Sequence, residues 1–182
     1  MKDHPLIFNC ESIKGIIEGR KTQTRRCPAE RYRKWKIGDR IWVREKMYEP
    51  GHYSRYEVGE SGEICIGWFS KGERIYAGDD MPRLRDGYKW RTIPAIYMPK
   101  RDARIRLLIT GLREEYLQEI HIGDLLAEGY PPGRSVDEDC SEAYEWFTDH
   151  WDSINLKRGY GWDTDPKPVV ITFERIEGPN GQ

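Results

Sequence analysis

Residues 103–112 alternate in character. Ile105, Leu107 and Ile109 fall on one side, and Arg104, Arg106 and Leu108 on the other. Successive side chains of a strand point to opposite faces, so this run fits a sheet with one face buried. Similar runs recur. Residues 5–8 are apolar. In residues 40–45, Ile41 and Val43 alternate with Trp42 and Arg44. Residues 62–69 read as a strand with 73–76 as its partner. In residues 167–176, Val169, Ile171 and Phe173 alternate with Val170 and Thr172.

Three stretches carry a helical period instead. Ile13, Ile16 and Ile17 share one helix face, with Asn9 placed to cap the start and Gly19 to end it in a left-handed turn. Residues 123–128 form a short helix closed by Gly129, with Leu125 and Leu126 facing inward. The pattern Ser135-x-x-Glu138 opens a longer helix running to about Trp151, with Ala143, Trp146, Phe147 and His150 on one face. Five or six strands and three helices without regular βαβ alternation predict an α+β fold. The expected core is a small, mostly antiparallel barrel with helices around it.

The whole chain, residues 1–182, reads as one domain with a long insertion at about 48–100. There Gly, Pro, Asp, Tyr and Arg are scattered. Two prolines five apart, Pro94 and Pro99, argue against a central strand or a helix over 90–99. Hydrophobic residues make up only 37% of the chain, so its seven Trp and eleven Tyr must carry much of the core.

Net charge is −1, which argues against a generic DNA-coating protein, yet the charge is segregated. Residues 20–46 hold 11 Lys/Arg against 3 Asp/Glu, and residues 114–152 hold 1 Arg against 12 Asp/Glu. Either the two segments face each other, or the basic one meets phosphate while the acidic one limits non-specific binding. Cys10, Cys27, Cys65 and Cys140 form no CxxC pair, and His4, His52, His121 and His150 show no metal-ligand spacing. With no signal peptide and no membrane-spanning apolar run, the expectation is a reduced, cytoplasmic protein without metal or cofactor.

The stretch Gly19-Arg20-Lys21-Thr22-Gln23-Thr24-Arg25-Arg26 stands out chemically. A threonine hydroxyl attacks only when a base takes its proton, and a lysine does so only when burial or a nearby cation lowers its pKa. Arg20, Arg25 and Arg26 supply cations, and Glu128 supplies a carboxylate that helix-end geometry does not reward. Lys21, Thr24 and Glu128 are therefore the candidate catalytic group. The plain alternative is a surface lysine, a strand threonine and a helix-end glutamate. Arg25 and Arg26 either make surface ion pairs or grip a phosphate or base edge. Trp42 and Arg44 either stack on a base or pack against a loop. If a strand begins near Lys21, alternation places Lys21 and Thr24 on opposite faces, and a shared site requires irregular backbone between them.

The pattern Gly19-x-Lys21-x-x-Thr24-x-Arg26 resembles the G-x-K-x-x-(E/T)-x-R signature of ASCH domains, of the PUA-like superfamily. The chain is also similar to phage and prophage members of that family at Pro5-Leu6-Ile7-Phe8, Gly38-Asp39-Arg40-Ile41-Trp42-Val43-Arg44-Glu45, Met98-Pro99-Lys100, Ala127-Glu128-Gly129 and Trp151-Asp152-Ser153-Ile154-Asn155. The resemblance implies a PUA-like β-barrel with a cleft beside the signature, in a superfamily whose members bind RNA or modified bases. One small branch hydrolyses N4-acetylcytidine with a Lys, a Thr and a Glu, which fall here on Lys21, Thr24 and Glu128. This chain is longer than those hydrolases, and its doubled Arg25-Arg26 departs from their pattern.

Two functions follow as expectations. One is an amidohydrolase acting on an N4-acylated cytidine. The other is a non-catalytic module of a phage or prophage that binds RNA or modified DNA. In the latter, Arg20, Arg25, Arg26 and Arg44 would serve phosphate or base contacts, and Trp42 or Trp90 would stack on a base.

Overall fold

A computed structural model describes residues 1–58, 63–76, 79–80, 82–84, 86–131 and 141–176. The expected capping box at Ser135 and Glu138 lies outside these residues, as does Cys140. The architecture is α+β: a curled, mostly antiparallel half-barrel with a few flanking helices.

The main sheet has five strands: β1 (Asp3–Ile7), β2 (Gln23–Arg26), β3 (Arg40–Arg44), β8 (Arg106–Glu114) and β9 (Val169–Ile176). Their order is β1-β3-β8-β9-β2, with β1 parallel to β3 and the other pairs antiparallel. The alternating residues behave as their pattern demands. Ile105, Leu107, Ile109, Ile171 and Phe173 are buried in one core with Ile41 and Val43. The β8–β9 ladder shifts register between Ile109 and Gly111, a local irregularity that bends a curling sheet.

A second sheet grows from β4 (Met47–Val58), which no sequence pattern announced. It pairs with β5 (Glu63–Ser70), β6 (Ile75–Tyr76) and β7 (Lys89–Ile93). Residues 75–76 thus join β4, not the strand at 63–70 for which residues 73–76 were expected. Strand β7 stops before Pro94 and pairs with β4 alone among the described residues. Trp42, Met47, Met98 and Ala103 form a small core of their own.

Helix α1 (Cys10–Ile17) begins where Asn9 accepts a hydrogen bond from the Ser12 amide at 2.8 Å, and the chain leaves it through Gly19 at φ +75°. Helix α2 (Ile122–Ala127) and helix α3 (Ser141–Asn155) pack on each other through Leu125, Ala143, Phe147 and Trp151. Leu126 departs from expectation: it is 45% exposed, because a helix as short as α2 has one inward stripe, which Leu125 occupies. Leu125→Ala should therefore lower unfolding stability by about 2–5 kcal/mol. Leu126→Ala should change it by about 0.5 kcal/mol or less. Urea titration of both variants checks this; equal effects would contradict the placement of α2.

Candidate active site

Residues 20–26 are built by what surrounds them. The Gly15 carbonyl, near the end of α1, accepts from the amides of both Arg20 (2.9 Å) and Lys21 (3.0 Å). Thr22 then bridges two elements: its amide donates to the Ala127 carbonyl of α2 (2.9 Å), and its carbonyl accepts from Phe173 of β9 (2.8 Å). Only at Gln23 does β2 begin, with Thr24 opposite Ile171. Lys21 thus precedes the strand, and alternation does not govern its direction relative to Thr24.

Lys21 is buried, at 5% exposure. Its stem runs between two glycines: a Cβ on Gly15 or on Gly129 would come within 3.2 Å of Lys21 Cβ. Gly129 also sits at φ +99°, a conformation that a larger residue adopts only under strain. Lys21 Nζ donates to Glu128 Oε2 at 2.7 Å and to the Glu128 backbone carbonyl at 2.6 Å. Burial pulls the Lys21 pKa below that of an ordinary lysine; Glu128 opposes the shift, and Arg26 and Arg25 add to it.

Glu128 is shared. Its Oε1 accepts from Arg25 Nη1 at 3.2 Å, while Arg25 Nη2 donates to Asp124 at 3.0 Å and also to Glu115. Arg113 closes the network, donating to Asp124 at 2.9 Å and to Glu115 at 2.7 Å. Three cations and three carboxylates alternate in one cluster, with the Arg25 side chain 1% exposed at its centre. Lys21 and Arg25 come from the basic segment and all three carboxylates from the acidic one, so at this point the two segments do face each other.

Beside the cluster opens a cavity of about 620 Å³, large enough for a nucleotide-sized ligand. Lys21, Thr24 and Glu128 all line it, together with Arg25, Arg26 and Arg44. Thr24 is buried, at 4% exposure, and among the described residues its hydroxyl makes no hydrogen bond to Lys21 or Glu128. Two expected binding residues lie elsewhere. The Arg20 guanidinium is held by Glu18 (2.8 Å) and the Gly129 carbonyl (2.9 Å), because the left-handed turn at Gly19 directs it there, and it does not line the cavity. Trp42 is buried in the second core, where no base can stack on it, and carries the Arg44 guanidinium 4.5 Å over its ring.

Sequence reasoning missed Arg31, Arg158 and His150 as lining residues. His150 appeared only as one position on the inner face of its helix. Burial lowers its pKa from 6.5, with Lys21 as the next cause, which favours neutral imidazole beside the Lys21–Glu128 pair. Cys27 also lines the cavity, but burial pushes its thiol up to about 11, leaving little thiolate for attack. Among the described residues no group of three or more His, Cys, Asp or Glu is placed to hold a metal ion, and no helix is long and apolar enough to cross a membrane.

No family model matches the chain, and no curated protein matches it. The chain is similar to a solved structure described as the crystal structure of hypothetical protein PH0355. The identity is 15% and the TM-score 0.47, over 97% of this chain and 100% of that one.

The cluster makes a stability prediction. Arg25→Met leaves Glu115, Asp124 and Glu128 crowded without their shared cation, and should cost about 3–5 kcal/mol. Chemical denaturation checks the loss. A variant as stable as wild type would show that the network is not formed in solution.

Proposed function

We propose that the chain is an ASCH-type PUA-like protein whose cavity takes a modified cytidine and cleaves its N4-acyl amide. The observation that carries this reading is the buried Lys21–Glu128 pair opening on the same cavity as Thr24. A lysine with a lowered pKa is the base that a threonine nucleophile needs. Two more blocks that resemble ASCH proteins also reach the cavity, through Leu6, Phe8, Trp151 and Asn155.

Thr24 Oγ1 attacks the acyl carbonyl carbon as its proton passes to Lys21. The proton is relayed through Glu128 to cytidine N4 as the C–N bond breaks, leaving cytidine and an ester on Thr24. Water then cleaves the ester, releasing the carboxylic acid and restoring the hydroxyl. Arg25 holds Glu128 in place from its other oxygen.

A second reading, a non-catalytic binder of RNA or modified DNA, is favoured by one feature: the Thr24 hydroxyl has no hydrogen bond to its intended base among the described residues. Incubation with N4-acetylcytidine, following cytidine release, separates the two. Wild type should turn over, and Lys21→Ala, Thr24→Ala and Glu128→Gln should each lose about 100-fold or more. No turnover by wild type, or unchanged turnover in Lys21→Ala, overturns the hydrolase reading.

A further inference from the structure

The charge balance of the cavity goes beyond the amide chemistry. Six lining residues are cationic: Lys21, Arg25, Arg26, Arg31, Arg44 and Arg158. One carboxylate, Glu128, lines the same space, and it is already engaged by Lys21 and Arg25. The remaining four arginines have no carboxylate partner among the described residues. Other described arginines behave differently: Arg20, Arg40, Arg74, Arg91, Arg104 and Arg113 are each ion-paired.

Three of these guanidiniums, those of Arg26, Arg44 and Arg158, are positioned without being neutralised. Arg44 lies 4.5 Å over the Trp42 ring and Arg26 lies 4.7 Å over Phe8. An aromatic face fixes the plane of a guanidinium and leaves its edge donors unused. Arg26 donates once, to the Ile7 carbonyl at 3.0 Å. Arg158 donates to Asn155 Oδ1 at 3.1 Å and to the Cys27 carbonyl at 2.8 Å. The Arg31 and Arg44 side chains make no hydrogen bond to protein among the described residues. Like charges gathered around one space without counter-charge repel one another, and an anion placed among them removes that repulsion while filling planar, bidentate donors.

We propose that the ligand enters as a phosphate ester, with Arg26, Arg31, Arg44 and Arg158 gripping the phosphate and the nucleobase directed to Lys21, Thr24 and Glu128. This rests on reading the cavity as a nucleobase site, and it changes the substrate class from a free nucleoside to a nucleotide. The phosphate is either the monoester of a mononucleotide or a diester of a polynucleotide.

Calorimetric titration tests this without any hydrolysis. The probes are the four ribonucleosides, their 5′-monophosphates, and mixed-sequence RNA and DNA oligonucleotides. At least one phosphate-bearing probe should bind about tenfold or more tighter than the nucleosides. That advantage should shrink as salt is raised. It should also shrink in Arg44→Gln and in Arg31→Gln, which remove no side-chain hydrogen bond to protein. Tighter monophosphates assign a monoester; tighter oligonucleotides assign a diester. Nucleosides binding as tightly as every phosphate-bearing probe would overturn the proposal. So would no phosphate-bearing probe binding below about 1 mM, or a tenfold advantage left intact in both variants. Loss of the hydrolase reading alone would show as tight phosphate-dependent binding without cytidine release.

Discussion

The contact between Lys21 Nζ and Glu128 is where the fold and the cavity meet. A lysine removed from water must be paired and hydrogen-bonded, or it gives up its proton. Both outcomes matter here. Pairing with Glu128 draws the end of α2 onto the segment that follows α1, and Thr22 locks the join through Ala127 and Phe173. Burial at the same point leaves Lys21 easier to deprotonate than a surface lysine. Gly15 and Gly129 make room for the lysine stem, so backbone as well as charge is fitted to this one side chain.

Around that contact the segregated charge of the sequence acquires a structural meaning. The acidic segment neutralises Lys21 and Arg25 through Glu115, Asp124 and Glu128. It does not reach Arg26, Arg31, Arg44 or Arg158, which stay cationic around the cavity. One part of the basic segment is thus ion-paired and another part stays without a carboxylate partner among the described residues. Arg25 and Arg26 are neighbours in sequence and fall on opposite sides of this division.

Much of this was legible in the sequence because local physics decided it. The alternation in β8 and β9 is imposed by one buried face, and the ends of α1 by Asn9 and Gly19. Where tertiary contacts decided, the sequence was mute. Strand β4 carries Pro50 and Gly51 in its middle and exists through its partners β5 and β7. The exposed Leu126, the buried Trp42 and Arg20, held by Glu18 and the Gly129 carbonyl, each depended on which neighbour arrived. The placement of Lys21 before β2 also came from long-range hydrogen bonds, which no periodicity records. Lys21, Thr24 and Glu128 were selected by residue chemistry and resemblance, and the fold puts all three on one cavity. Arg31, Arg158 and His150 escaped because their cavity-facing positions depend on tertiary packing, which no local pattern encodes.

Whether Thr24 takes the acyl group decides the chemistry of the cavity. Rapid acid quenching during turnover of N4-acetylcytidine or its phosphate ester, followed by peptide mass spectrometry, reads this directly. The expected result is an acetyl group on Thr24 that appears within the first turnover and is absent in Lys21→Ala. Turnover with no acyl group on Thr24, or acylation at another residue, would contradict it.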